Sequence, residues 1–366
     1  MIDGLRAGRD GIRPVDLFSV AGCRASTAGQ FPPGLREAAA AVHSPARHWS
    51  RAAQAFLVVA AEALAARPGF VPEVVVIGTT SGAMQWGQEF FRAWQSGDPA
   101  ARARSVRRIR GYPPQVPVLD ALEALGIRAP VRIVSNACAS GTNALGAAWQ
   151  LVRSGRVKRV LAGGYDVLAE LVFAGFDCLQ AASPSLCRPF DAGREGLALG
   201  EGAAAFCIEE EGPVKIPGYG AATDTHHLTQ PHPSGSGPLT AMRRALAHAA
   251  IAPEDICHIN AHGTGTPQND ACEAAAIAAL CPQAAVTSTK AMTGHTLGAA
   301  GAIEAFFGMA AIQGGFLPPT LHFRAPDPGV QLDMVTGTAR HRPVPSVLSN
   351  SFGFGGANAS ILLTTQ

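Results

Sequence analysis

Cys138 is the residue of this chain whose surroundings are most typical of a catalytic nucleophile. It lies in the stretch SNACASGTNALGAA, residues 135–148, where a buried apolar strand gives way to small residues that begin a helix. A thiol at the amino end of a helix lies near unpaired N–H groups and the positive end of the helix dipole, which stabilise a thiolate. Free cysteine is more often an inert buried hydrophobe, so this position alone leaves a structural role open.

Two histidines, a lysine and a glutamate stand in comparable positions later in the chain. His262 follows an apolar segment and opens a Gly/Thr loop, and Lys290 and His295 lie in STKAMTGHTLGAAG. Lys290 lies in an otherwise uncharged stretch, so it needs a partner if it is buried, and Glu304 is a candidate for that partner. Reactive residue types that each follow an apolar strand indicate one shared site rather than separate coincidences.

Alternating strands and helices must position these residues. Helical apolar spacing covers 48–66, where Pro68 and Gly69 close the helix. Short apolar strands are predicted at 131–137, 157–166, 202–210 and near 285–289, and 73–82 and 255–267 are predicted as strands that run into glycine-containing loops. Further helices are predicted at 139–154, 238–250, 270–280 and 297–313. Residues 345–364 read as two strands joined by a glycine turn. This alternation is typical of a mainly parallel α/β sheet covered on both faces.

The two parts of the chain repeat one another. ACASGTNALGAAWQ, from residue 137, and MTGHTLGAAGAIEA, from residue 292, both place a reactive residue type ahead of a helix that contains LGAA. We expect two similar α/β halves, residues 1–212 with the cysteine and 213–366 with the histidines and lysine. The chemistry is then expected at their junction.

Composition and charge restrict the class of protein. Of the 366 residues, 47% are hydrophobic and 15% are charged, which excludes disorder. The net charge of +2 provides no global attraction for nucleic acid or an anionic membrane. The eight cysteines form no CxxC pair, which indicates reduced thiols. The longest apolar run, 55–66, is too short for a membrane span. We therefore expect a soluble, cytoplasmic protein.

The ordered set of motifs closely resembles the β-ketoacyl-acyl-carrier-protein synthases. The motifs are ACASG with Cys138, HGTGTP with His262, STKAMTGHTLGAAG with Lys290 and His295, and NSFGFGGAN with Phe354. The likeness extends from about residue 4 to 362. It implies a thiolase-like fold, in which two pseudo-symmetric α/β halves form a five-layer αβαβα sandwich.

The resemblance also implies an acyltransferase mechanism. Cys138 would hold an acyl group taken from an acyl carrier protein, and the N–H groups of Cys138 and Phe354 would form the oxyanion hole. His262 and His295 would stabilise the enolate that malonyl decarboxylation produces, so that condensation gives a 3-oxoacyl product in fatty-acid or polyketide biosynthesis.

Further roles follow from the same resemblance. Lys290 and Glu304 look like a pair that supports the site, and Phe354 matches the family's gating phenylalanine. Thr264 and Thr266 resemble hydroxyls that hold the phosphopantetheine arm of the carrier protein. The family implies no other cofactor and no metal, and it implies a homodimer, or a heterodimer with a ketosynthase-like partner.

Two clusters on the chain admit a simpler interpretation. Arginine recurs at 102, 104, 107, 108 and 110, which is either a solvated surface or a docking patch for an acidic carrier protein. The resemblance favours Arg107 and Arg108 for docking. His226, His227 and His232 fall in a Pro/Gly-rich loop without a carboxylate at ligand spacing, so we expect no metal there.

The start of the chain differs from the family. Members open with a β-strand that ends in a glycine-rich turn, whereas MIDGLRAGRDGI resembles the segment after it. The first strand of the first half is therefore expected to be missing.

Three alternatives stay open beside the discrete condensing enzyme. A thiolase would carry a second catalytic cysteine where this chain reads GFGGAN. A non-enzymatic chain-length factor would lack Cys138. The third alternative is a subunit that is active only in a heterodimer with such a factor.

Overall fold

The computed structural model describes residues 1–328 and 331–365. Its α-helices are α1 Ile2–Arg6, α2 Leu35–Val42, α3 Arg51–Ala66, α4 Met84–Ser96, α5 Pro99–Ile109, α6 Val116–Ala124, α7 Ser140–Arg153, α8 Glu170–Cys178, α9 Ser236–Ala249, α10 Pro267–Leu280, α11 Lys290–Thr293 and α12 Ala300–Gly314. Local signals fix several of the helix starts. The Ser50 hydroxyl accepts from the N–H of Ala53 at 3.2 Å and caps α3, and Asp98 caps α5 ahead of Pro99.

The strands fall into two main sheets and two small ones. They are β1 Ile12–Pro14, β2 Thr27–Gly29, β3 Val74–Gly78, β4 Val131–Val134, β5 Val160–Asp166, β6 Leu199–Gly200, β7 Gly202–Ile208, β8 Lys215–Thr223, β9 His258–Asn260, β10 Ala285–Thr287, β11 Phe316–Leu317, β12 Asp333–Met334, β13 Arg340–His341, β14 Ser346–Gly353 and β15 Ala357–Thr364. The small sheets are β1-β2-β6 and β11-β13.

The first main sheet has the order β4-β3-β5-β7. β3 is parallel to both β4 and β5, and β7 is antiparallel to β5. All five residues of β3 are buried, as an apolar strand between two helical layers requires.

The second main sheet has the order β12-β10-β9-β14-β15-β8. Its strands β10, β9 and β14 are parallel, and the hairpin β14–β15 turns back through the predicted glycine turn. β8 pairs antiparallel with the outer edge of β15. The segment β10-β9-β14-β15 therefore repeats the order and directions of β4-β3-β5-β7.

Helices complete a five-layer sandwich. α3 and α6 pack on the outer face of the first sheet, where Phe56 and Leu57 are fully buried. α7 and α12 lie between the two sheets, and α9 and α10 cover the outer face of the second. Burying one such Phe or Leu side chain contributes about 1.5–3 kcal/mol. The predicted α/β fold with two similar halves is confirmed, while the exact boundary at 212/213 remains a prediction.

The central helices cross at glycines. A Cβ on Gly141 of α7 would lie 2.8 Å from the N atom of Ala302, and one on Gly301 of α12 would lie 2.0 Å from Thr142 Oγ1. Only hydrogen fits there, so α7 and α12 are in close contact. This contact brings the starts of both helices, and the residues ahead of them, to the same place.

The halves differ at one edge. In the second half β8 covers the outer edge of β15, whereas among the described residues no strand pairs with the outer edge of β7. A groove of about 1580 Å³ runs along this edge, lined by β7, α3 and α7 and by Met1 and Leu5 of α1.

The structure also shows the state of the cysteines and the place of a long apolar segment. All eight cysteines are free thiols. The segment Leu297–Gly314 is long and apolar enough to cross a membrane by composition, but 78% of it is buried within the protein, as in a core helix.

Candidate active site

Cys138 lies in a tight turn between β4 and α7, two residues ahead of the helix. The preceding residue, Ala137, has φ of 54°, in the left-handed region that a non-glycine residue seldom adopts. Its carbonyl accepts from Ser140 Oγ at 2.6 Å and from Thr80 Oγ1 at 3.2 Å, which holds the turn in this conformation. The Cys138 side chain is 7% exposed. Such strain is typical of functional turns.

The two predicted histidines lie beside the sulfur. His295 Nε2 is 3.0 Å from Cys138 Sγ, and the rings of His262 and His295 meet edge to face with centroids 5.2 Å apart. One ligand-type atom from each of the three residues lies within 4.8 Å of the others. Residues that are up to 157 positions apart in the chain therefore form one cluster.

The backbone around His295 determines its tautomer. The N–H of Leu297 donates to His295 Nδ1 at 3.3 Å, so that nitrogen is an acceptor and the ring proton lies on Nε2. The main chain of His295 is fixed in turn, since its N–H donates to the Ala198 carbonyl at 2.7 Å and its carbonyl accepts from Gly200. His295 thus directs an N–H toward Cys138.

His262 is held by a carboxylate that the sequence reasoning missed. Glu273 of α10 accepts from the N–H groups of His262 and Gly263, both at 2.8 Å, and from Asn350 Nδ2 at 3.1 Å. Burial raises the pKa of Glu273 to about 7 despite these donors. The sequence did offer one signal for Glu273, which is an acidic residue inside the alanine-rich stretch ACEAAAIAA. Such a helix is expected to be buried, and a buried carboxylate needs hydrogen-bond donors.

Both imidazoles are neutral. Burial lowers the pKa of His262 and His295 well below the ordinary value, and the positive charge of Lys290 lowers both further. Lys290 is 1% exposed and forms a buried ion pair with Glu304, as the sequence suggested. Burial raises the pKa of Glu304 to about 7, and Lys290 opposes that rise.

The thiol behaves differently from the sequence expectation. Burial raises the pKa of Cys138 to about 11, while Lys290 and the backbone N–H groups of Phe354 and Cys138 act in the opposite direction. Desolvation therefore outweighs the helix end, and the sulfur of the free protein is a thiol at neutral pH. The backbone N–H groups that were expected to stabilise a thiolate do lower the pKa, but the sequence did not show how strongly desolvation raises it.

The glycine turn of residues 353–356 closes over the cysteine. A Cβ on Gly353 would lie 3.0 Å from the Cys138 N atom, and Gly355 and Gly356 have φ of 75° and 72°. Phe354 stacks on Phe176 with ring centroids 5.6 Å apart. The backbone N–H groups of Phe354 and Cys138 lie close enough to the sulfur to lower the pKa of the thiol.

A cavity of about 290 Å³ leads to the cluster. Thr264 and Thr266 line it together with Cys138 and both histidines, and their hydroxyls lie 2.9 Å apart. By type and spacing the cysteine and two imidazoles could also ligate a metal ion. The nearby charge of Lys290 disfavours a divalent cation at the same place.

The remaining predicted residues lie elsewhere. Arg107 and Arg108 are exposed on α5, and Arg108 forms an ion pair with Glu89 of α4. Neither arginine lines the cavity beside Cys138. The rings of His226 and His232 are 5.0 Å apart in a loop whose backbone N–H groups donate to Asp224.

Comparison with known proteins gives the same class as the fold and the cluster, that of thiolase-like condensing enzymes. The family model "Beta-ketoacyl synthase, N-terminal domain" matches residues 1–212. The family model "Beta-ketoacyl synthase, C-terminal domain" matches residues 214–324. The chain therefore belongs to the β-ketoacyl synthase family.

Individual relatives agree with this assignment. The chain is 39% identical over 257 residues to 3-oxoacyl-[acyl-carrier-protein] synthase 2 of Staphylococcus aureus. This match covers 65% of this chain and 64% of that protein. It is 35% identical over 315 residues to the synthase of the same name from Coxiella burnetii, which covers 79% of this chain and 74% of that one. The solved structure named "The ishigamide ketosynthase/chain length factor" superposes with a TM-score of 0.90 at 31% identity, over 100% of this chain and 94% of that one.

Proposed function

We propose that the protein is a β-ketoacyl-acyl-carrier-protein synthase that joins a malonyl unit to an acyl chain held on Cys138. The observation that carries the proposal is the 3.0 Å contact between Cys138 Sγ and His295 Nε2 inside a buried cavity. His262 stands beside the same contact, and the backbone N–H groups of Cys138 and Phe354 lower the pKa of the thiol. A nucleophile, two neutral donors and an oxyanion site are the groups that this reaction needs.

In the first step the Cys138 sulfur attacks the acyl thioester carbonyl of a carrier protein. A new C–S bond forms, the carbon–sulfur bond to phosphopantetheine breaks, and the thiol proton of Cys138 leaves with the departing phosphopantetheine sulfur. The N–H groups of Cys138 and Phe354 bind the oxyanion of the tetrahedral intermediate. Since the thiol of the free protein is protonated, it has to lose its proton in this step.

In the second step a malonyl thioester occupies the vacated cavity. Its carbon–carbon bond to the carboxylate breaks, CO2 leaves, and the electron pair becomes an enolate whose oxygen accepts from the N–H groups of His262 and His295. The enolate carbon then attacks the acyl carbonyl, and the Cys138 sulfur leaves as a thiolate that takes up a proton. Neutral imidazoles suffice because they donate hydrogen bonds and transfer no proton to the enolate.

The remaining side chains support these steps. Lys290, paired with Glu304, keeps the imidazoles neutral by its charge. Thr264 and Thr266 are placed along the cavity to bind the phosphopantetheine arm. Phe354, which glycines flank on both sides, gates the cavity. The phosphopantetheine belongs to the substrate, and we propose no resident cofactor or metal.

The proposed partner is an acyl carrier protein in the cytoplasm, which the free state of all eight cysteines supports. Arg107 and Arg108 present positive charge on α5 for its acidic surface. We propose a homodimer for the assembly. A heterodimer with a chain-length-factor-like subunit is the alternative, which the similarity to the ishigamide ketosynthase/chain length factor favours.

Intact-protein mass spectrometry tests the proposal. The protein is incubated with carrier proteins that bear acyl chains of different length, and we expect one acyl adduct that Cys138→Ala abolishes and that the exposed Cys178→Ala retains.

The His295→Ala variant should still load but lose malonyl decarboxylation by about 10²–10³-fold. Arg107→Glu with Arg108→Glu should raise the carrier-protein KM more than it lowers kcat. An adduct of equal yield in Cys138→Ala would exclude this mechanism.

A further inference from the structure

Asp166, the last residue of β5, carries a buried carboxylate at the junction of the two halves. The side chain is 0% exposed. From the first half it accepts from Thr79 Oγ1 at 2.9 Å and from the N–H groups of Thr80 and Ser81, both at 2.8 Å. From the second half it accepts from the N–H of Gly298 at 2.7 Å.

The carboxylate is stabilised by donors and by a helix rather than by a cation. The structure records no ion pair for Asp166 in the part of the chain that it describes. Gly298 lies just ahead of α12, so the positive end of that helix faces the carboxylate. Burial raises the pKa of Asp166, and the donors from Ser81 and Thr80 lower it. A carboxylate kept in so costly a place indicates that an acceptor is required there.

The contact with Gly298 is one residue away from a contact with the active-site residue His295. The residue before it, Leu297, donates its N–H to His295 Nδ1, and Leu297 has φ of 52°, in the left-handed region. Gly298 packs tightly against the carboxylate, since a Cβ there would lie 2.7 Å from Asp166 Oδ2 and 2.6 Å from the Thr80 N atom. The carboxylate thus holds a strained turn whose own N–H fixes the histidine.

We propose that Asp166 is a positioning residue for malonyl decarboxylation: it fixes the Leu297–Gly298 turn and thereby keeps the His295 proton on Nε2, facing the reacting oxygen. This inference rests on the proposed function. Without the carboxylate, the strained turn relaxes and the Leu297 N–H moves away from Nδ1. The proton is then free to occupy either ring nitrogen, and the tautomer with Nδ1–H has no donor for the enolate.

The test compares Asp166→Asn with Asp191→Asn. Asparagine keeps the shape but turns an NH2 group toward N–H donors that need an acceptor. Asp191 is a matched control, since it is 2% exposed and accepts from the backbone of Arg324 and Ala325 across the halves without contacting the cluster. Asp166→Asn should lower malonyl decarboxylation by about 10²-fold and acyl loading of Cys138 by less than about 3-fold. Asp191→Asn should leave the ratio of the two steps unchanged.

A direct readout is the 15N NMR spectrum of the His295 ring in the free protein. Wild type should show one Nε2–H tautomer, and Asp166→Asn a mixture. Gly298→Ala changes the other partner of the Asp166–Gly298 contact and should give the same mixture of tautomers. The double variant of Asp166→Asn and Gly298→Ala should lose no more decarboxylation activity than either single variant. An unchanged tautomer, or equal losses of loading and decarboxylation in Asp166→Asn, would overturn the proposal. If wild type neither loads nor decarboxylates, the proposed function fails, and the NMR comparison still decides the role of Asp166.

Discussion

Burial sets the protonation of all three residues at the centre of the site. Desolvation disfavours charge, so it raises the pKa of the Cys138 thiol and lowers the pKa of His262 and His295. The resting cluster is therefore a neutral thiol beside two neutral imidazoles. The sequence could predict which residues meet, since each follows an apolar strand, but not the direction of the thiol pKa. That direction depends on how completely distant segments cover the sulfur.

The pH dependence of Cys138 alkylation follows from its pKa of about 11. Only the thiolate reacts, and below the pKa its fraction rises about tenfold for each pH unit. The iodoacetamide rate of Cys138 in the free protein should therefore rise steadily from pH 7 to pH 10 without levelling. Peptide mass spectrometry at a series of pH values measures this rate, with the exposed Cys178 as an internal reference. A plateau near pH 7 would show that the helix end prevails over burial.

The two halves share an LGAA motif, but the glycines where α7 and α12 cross lie outside it. The repeat predicted related helices, and the structure adds that Gly141 and Gly301 let them cross in close contact. The acidic residues that support the site were harder to infer. Glu273 and Asp166 accept from backbone N–H groups of other segments, and the residue types in the sequence do not show which segments those are.

Gly141→Ala tests this helix contact. Its Cβ would lie 2.8 Å from the N atom of Ala302 and 2.9 Å from the Gly298 carbonyl oxygen, so the helices must separate. We expect a loss of about 1–3 kcal/mol in the free energy of unfolding, as for other overpacked cores, together with slower condensation. Urea denaturation and a condensation assay measure the two effects.

Gly175→Ala is the matched control for that variant. Gly175 also lies within a helix, α8, but a Cβ there meets nothing within 4 Å. Alanine should then be neutral or stabilise by about 0.4–1 kcal/mol. Equal destabilisation by both substitutions would mean that the close approach of α7 and α12 is not what constrains position 141.

At the scale of the whole molecule, the positions of the main strands were largely predictable and the pairing of the strands at the sheet edges was not. Apolar runs located the central strands of both sheets, and the hairpin β14–β15 was recognised from its glycine turn. The antiparallel direction of β7 and β15, and the pairing of β8 with β15, depend on contacts that apolar periodicity does not encode. The helices α4, α5 and α6, inserted between β3 and β4, were not predicted from the sequence.

The unequal edges of the two sheets predict unequal hydrogen exchange. In an antiparallel ladder alternate residues direct their N–H groups to opposite sides, so about half of the amides of β7 face the groove along its outer edge. Those of β15 are paired on both sides, by β14 and β8. Peptides that cover 202–208 should therefore take up deuterium at about half of their amides early, while peptides that cover 357–364 stay protected. Exchange followed by mass spectrometry measures both, with β14, also paired on both sides, as reference. Equal protection of the two segments would show that another strand covers β7 in solution, and the asymmetry between the halves would then disappear.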